Sequence, residues 1–185
     1  MLSLPPDTLQ HCAPRVHPIT LSAVVMQESG GNPLLIHSNT SEQTYRPKSP
    51  GAAAALARQL ISQGQSVDLG LAQINSRNLL WLGLDVQTVF DPCRNLAAAQ
   101  TVLLDGWQRS GGNLRKALAL YNTGKPDSKA GEMYAARVYS RAGWVIPAIS
   151  QTSAYTSAPP LRVNVEWTPT ASPLQPHGDA LTARW

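Results

Sequence analysis

The sequence predicts a mainly α-helical domain with a small extended region and a proline-rich tail. Three observations predict it. Several segments bounded by glycine or proline repeat apolar residues at i, i+3, i+4 and i+7, the spacing of one helix face. One stretch, Val67 to Asn75, instead alternates apolar and polar positions around Gly70. From Pro147 onward, six of the fifteen prolines lie among scattered Ser and Thr with few charges. Such a segment cannot bury enough apolar surface to order itself, so it is expected to be flexible. The domain is accordingly placed at residues 1–146 and the tail at 147–185.

Residues 1–17, with their Pro and His, read as an extended lead-in. A first helix is expected from Thr20 to Ser29, started by Pro18 and Thr20 and ended by Gly30, Gly31 and Pro33. Residues 34–50 are polar, contain Pro47 and Pro50, and read as a loop. Ala52 to Gln63 is a run of strong helix formers stopped by Gly64. After the extended or turning segment 67–75, Asn75 can cap a short helix, Ser76 to Leu82, ended by Gly83. Asp91-Pro92 opens the longest helix, whose core side carries Leu96, Ala99, Leu103 and Trp107. Asn113 caps the next, where Leu114, Ala117, Leu118 and Tyr121 share a face and Gly124 and Pro126 end it. A last helix, about Gly131 to Arg141, carries Tyr134 and Val138. In the tail, Arg162 to Trp167 could pair as a strand against a partner.

The charge of +4 is a weak pointer to an anionic partner, and no basic run interleaved with aromatics favours nucleic acid. No apolar stretch approaches the roughly 18 residues of a membrane helix. The start, Met-Leu-Ser-Leu-Pro-Pro-Asp, lacks the basic flank and apolar core of a signal peptide. Either the chain is cytosolic or its export signal lies outside this sequence. The four histidines show no ligand spacing, so neither metal nor cofactor is expected, and no Ser or Cys sits in a recognisable nucleophile motif. Cys12 and Cys93 are either one long-range disulfide or two buried thiols.

Glu28 stands out. Leu21, Val24, Val25 and Glu28 fall at i, i+3, i+4 and i+7, which puts the glutamate on an apolar face. A carboxylate there is costly unless it is paired or keeps its proton, so its pKa is expected to rise. The helix ends directly afterwards, next to a cleft, where such a group can serve as a general acid. The bland alternative is a helix-end glutamate turned to solvent.

Three segments stand in a telling order: Glu28-Ser-Gly-Gly-Asn-Pro33, Gly70-Leu-Ala-Gln-Ile-Asn75 and Ala119-Leu-Tyr-Asn-Thr-Gly124. Over roughly residues 10–142 the chain resembles the lytic transglycosylases with a goose-type lysozyme fold (the SLT superfamily). Within them it looks like the transglycosylase subunit of type IV secretion systems. Cys12-Ala-Pro before the first helix, an Ala-rich helix between Glu28 and Gly70, Asp91-Pro-Cys-Arg-Asn95 and the Pro-rich tail favour that branch.

The resemblance implies a lysozyme-like helical domain and a set of roles. Glu28 matches the single catalytic acid, and Ser29 the serine beside the sugar. Gln73 and Asn75 match cleft-lining residues that bind N-acetyl groups and hydroxyls, and Asn122 a neighbour in the cleft. Tyr121 matches the tyrosine whose hydroxyl bonds the catalytic carboxylate. Ala72 stands where methionine is common, which removes an apolar wall near a sugar ring. A Cys12–Cys93 disulfide is also implied, and with it the periplasm. Each residue has a plainer role: Gln73 and Asn75 as turn and cap residues, Tyr121 as core.

The reaction so implied cleaves the β-1,4 bond between N-acetylmuramic acid and N-acetylglucosamine in peptidoglycan. Glu28 acts alone and the muramic C6 hydroxyl attacks, giving a 1,6-anhydro end. Type IV secretion components are implied partners, with the tail as a possible contact. Two alternatives stand beside this: a non-catalytic wall-binding assembly protein, and a hydrolase using Asp68 as second carboxylate. Asp68 read locally is a turn aspartate bonding nearby backbone amides.

Overall fold

The computed structural model describes residues 5–143. Six helices are interrupted by one small sheet: α1 (Pro6–Cys12), α2 (Pro18–Glu28), β1 (Ile36–Ser38), β2 (Gln43–Tyr45), α3 (Pro50–Ser62), β3 (Val67–Leu69), β4 (Ile74–Asn75), α4 (Pro92–Arg109), α5 (Leu114–Thr123) and α6 (Lys129–Arg141). Short 3-10 turns occupy Ser76–Asn78 and Thr88–Phe90. The expected boundary at 146, the tail and the Arg162–Trp167 segment lie outside the described residues.

Local capping explains most helix starts. The side chains of Ser49, Asp91, Asn113 and Ser128 accept from Ala52, Arg94, Lys116 and Gly131 amides, three residues on. Gly124 closes α5 in the left-handed conformation at φ 69°. Two expectations are corrected. The lead-in is not all extended: α1 forms there, with Pro at its first position and Leu9 buried against the core. The polar stretch 34–50 is not all loop, because it contributes β1 and β2. Strands of three residues are too short to display a period of two.

The sheet order is β2-β1-β3-β4, all antiparallel. Its register sorts residues into rungs. Tyr45, Ile36, Leu69 and Ile74 lie opposite one another, and Ile36, Leu69 and Ile74 are buried in the core. The adjacent rung is Thr44, His37, Asp68 and Asn75, all polar. Successive side chains of a strand point to opposite faces, so one rung packs and the next faces a cleft.

α2 lies inside the helical layer, with Leu21 and Val24 fully buried, and packs on α6. α5 and α6 approach closely because residue 131 is glycine: a Cβ there would meet the Ala119 Cβ at 2.6 Å. The Cys12–Cys93 disulfide is formed, with Cα atoms 4.9 Å apart, and ties the end of α1 to the start of α4.

Candidate active site

Glu28 ends α2 at the edge of a cavity of about 410 Å³. Asp68 and Asn75 of the sheet's polar rung, the β3–β4 turn, the 3-10 turn after β4 and the end of α5 are among the other walls. Glu28, Asp68, Gln73, Asn75, Tyr121 and Asn122 all line this cavity, so six sequence-derived candidates are brought together.

Burial pushes the Glu28 carboxyl from 4.5 up to about 7, and the nearby Asp68 charge pushes the same way. A hydrogen bond from Tyr134 and the Arg137 charge oppose the rise without cancelling it. The rise anticipated from the apolar face is therefore present. At neutral pH the group divides between acid and base forms, the condition for giving and retaking one proton.

The tyrosine assignment is corrected. The Tyr134 hydroxyl donates to Glu28 Oε1 at 2.5 Å. The Tyr121 hydroxyl donates instead to the Ala72 carbonyl at 2.7 Å. Burial, and then the Glu28 charge, hold both phenols well above their ordinary range, so they remain donors. Their rings stack with centroids 6.4 Å apart. Tyr121 thus stacks on Tyr134 and anchors the β3–β4 turn, with its hydroxyl bonded to the backbone and not to the carboxylate. The sequence marked Tyr134 as a core residue of the last helix. A buried tyrosine needs a partner for its hydroxyl, but nothing local names Glu28 as that partner.

The β3–β4 turn is held from three sides. Buried Asn95 accepts from the Ala72 amide at 2.8 Å and donates to the Leu69 and Val89 carbonyls at 3.0 and 2.9 Å. Gly70 sits at φ 79°, and a Cβ there would meet Asn95 Nδ2 at 2.5 Å, so only glycine fits. Gln73 takes up a left-handed φ of 49°, and its Nε2 donates to the Gly70 and Leu35 carbonyls at 2.8 and 3.2 Å. Its amide nitrogen therefore secures the turn. Ala72 is fully buried and does not line the cavity.

Asp68 departs from the local reading. Both its oxygens accept from side-chain amides: Oδ1 from Asn75 at 2.7 Å and Oδ2 from Asn39 at 2.8 Å. Burial raises its pKa, and these two bonds restrain the rise. Asn75 caps the following turn, accepting from the Arg77 amide at 3.0 Å, while it also lines the cavity. Ser29 is not among the cavity-lining residues. Its hydroxyl donates to the Val25 carbonyl and accepts from the Gly31 amide, closing the end of α2. Asn39, Thr40, Ser66 and Arg77 line the cavity without having been singled out. The strand pairing that gathers them has no signature at any one position. Among the described residues no group of three or more His, Cys, Asp or Glu is placed to hold a metal ion.

The family model described as Transglycosylase SLT domain matches residues 9–139. The Protein virB1 of Agrobacterium fabrum (strain C58 / ATCC 33970) is 34% identical over 149 residues, which is 76% of this chain and 60% of that protein. The Type IV secretion system protein virB1 of Brucella abortus biovar 1 (strain 9-941) is 36% identical over 123 residues, 62% of this chain and 52% of that protein. The aligned part of the chain thus spans 60% and 52% of these two relatives' own lengths. No solved structure matches the chain. With most of the described domain matched, and a part-buried glutamate at the head of its cleft, the chain belongs to the transglycosylase SLT domain family.

Proposed function

We propose that this protein is a peptidoglycan lytic transglycosylase, cleaving the β-1,4 bond between N-acetylmuramic acid and N-acetylglucosamine. The observation that carries this is Glu28: a carboxyl raised to about 7 by burial, facing a cavity lined by amide and hydroxyl side chains. Protonated Glu28 gives its proton to the glycosidic oxygen as the bond from C1 breaks. The substrate's 2-acetamido group stabilises the positive charge at C1. Glu28, now a base, takes the proton of the muramic C6 hydroxyl as that oxygen bonds to C1. No water enters, and the product ends in 1,6-anhydro-N-acetylmuramic acid. An intramolecular nucleophile gains from effective molarity and needs no second carboxylate.

The name of the Brucella relative supports a setting in type IV secretion, and glycan cleavage there opens the wall locally. The disulfide supports an oxidising compartment, which for a wall enzyme is the periplasm. Secretion components are the proposed protein partners. Among the described residues no helix is long and apolar enough to cross a membrane.

Asp68 favours a second reading, a lysozyme-like hydrolase, because it lines the same cavity as Glu28. Both of its oxygens are tied to asparagine amides, which suits a positioning role better than attack on a sugar or activation of water. Mass spectrometry of muropeptides released from purified sacculi separates the readings. Anhydro products, one water lighter than reducing ends, are expected; reducing ends would make the protein a hydrolase. No release at all would leave a non-catalytic wall-binding protein.

A further inference from the structure

Beyond the catalytic glutamate, the cavity wall has an asymmetry of charge. Among its lining residues Arg77 is the one cation. The Arg77 backbone amide is fixed by Asn75 Oδ1 at 3.0 Å, yet among the described residues its guanidinium has neither an ion pair nor a hydrogen bond. The chain then turns tightly, with Leu82 and Leu84 amides donating to the Asn78 and Leu79 carbonyls at 3.0 and 2.8 Å. Leu79 packs into the core, which leaves the next two side chains outside: Leu80 is 92% exposed and Trp81 is 42% exposed. These are the two large apolar side chains exposed in the turn after the cleft, and they follow Arg77, the one cation among the cavity's described lining residues, by three and four positions.

We propose that Arg77, with Leu80 and Trp81, forms a subsite at the edge of the cleft for the carboxylate-bearing stem peptide carried by the glycan. The proposal rests on the glycan-cleaving reading above and names what the substrate presents besides sugar. A neutral glycan offers a guanidinium only hydroxyls and amides. The lactyl-linked peptide offers free carboxylates, which the fork of an arginine binds in a bidentate manner, and aliphatic side chains that cover exposed apolar surface. Of the cavity's charged or titratable lining residues, Glu28 and Asp68 are acids and Arg77 is the one cation, so a peptide carboxylate is drawn to the Arg77 part of the wall. Charge complementarity thus sets the side on which the peptide lies.

The test compares the full chain and its variants on two substrates: intact sacculi, and the same sacculi stripped of stem peptides by an amidase, with the lactyl carboxylates so freed converted to neutral amides. The readout is the ratio of kcat/KM on the peptide-bearing substrate to that on the stripped one. Arg77→Gln is expected to lower this ratio about five- to tenfold, the scale of a partly exposed charge-assisted contact, with Arg77→Lys recovering part of it. Leu80→Ser and Trp81→Ser should lower it in the same direction. A ratio unchanged in Arg77→Gln overturns the proposal, whether activity falls equally on both substrates or on neither. A ratio moved by Arg77→Gln but by neither apolar variant overturns the part given to Leu80 and Trp81, and leaves them free for a protein partner. Failure of the wild-type chain to release muropeptides from either substrate would instead remove the glycan-cleaving reading itself.

Discussion

The Tyr134 hydroxyl reaches Glu28 Oε1 at 2.5 Å across 106 residues of sequence, joining the last helix described to the end of the second. The bond stabilises the carboxylate form, while burial and Asp68 oppose that form. Glu28 is balanced between them, and the balance can be shifted in either direction by one substitution.

Tyr134→Phe removes a contact that lowers the Glu28 pKa, so the limb of the pH–kcat/KM profile set by Glu28 should move to higher pH. Asp68→Asn removes a charge that raises it, so that limb should move to lower pH. Opposite displacements of the two profiles are the expected result. Asp68→Asn should keep most of the activity with anhydro products, since asparagine retains one carbonyl oxygen for Asn39 or Asn75. Parallel displacements would mean that Glu28 does not set the limb.

Glu28→Gln should lose at least about a hundred-fold in activity while folding normally, the scale of a positioned acid. The stability of the wild-type protein relative to this variant should also change with pH. The folded pKa of about 7 lies above the ordinary 4.5, so the unfolded chain binds fewer protons between those values. The wild-type protein therefore loses stability as pH rises from about 4.5 to about 7, by at most roughly 3 kcal/mol. Glutamine does not titrate, so denaturant melts should find the variant more stable than wild type above pH 7. The difference should disappear near pH 4.

Asn95→Ala leaves the Ala72 amide and the Leu69 and Val89 carbonyls without their buried partner. A cost of roughly 2–4 kcal/mol is expected, read as a lower denaturation midpoint. Activity should also fall, because the turn that carries Gln73 loosens. A variant as stable as wild type would show that water replaces the side chain in full.

The native protein should show no titratable thiol until reduced, since Cys12 and Cys93 are bonded. Replacing both by serine opens a loop of 81 residues and should cost about 4.5 kcal/mol in the loop-entropy model. Calorimetry of the double variant checks this. An unchanged Tm would mean that α1 stays docked through Leu9 and the Arg15–Gln100 hydrogen bond alone.

By itself the sequence determined what is encoded within a few residues. Asp91 and Asn113 mark helix starts because a cap needs only an amide three residues away, and Gly124 marks an end because its left-handed conformation is local. Glu28 was legible for the same reason: its helix spacing alone puts a carboxyl on an apolar face. The tertiary structure decided what depends on contacts distant in the chain. The three-residue strands β1 and β2 exist because β3 pairs with β1, and the pairing register, not any motif, lines up His37, Asp68 and Asn75. Tyr121 and Tyr134 both occupy core faces of helices, so helical periodicity could not tell which hydroxyl meets Glu28. That choice follows from the close approach of α5 and α6 at Gly131 and from the packing of α6 on α2, since a hydrogen bond depends on distances of tenths of an ångström that only the packed chain sets.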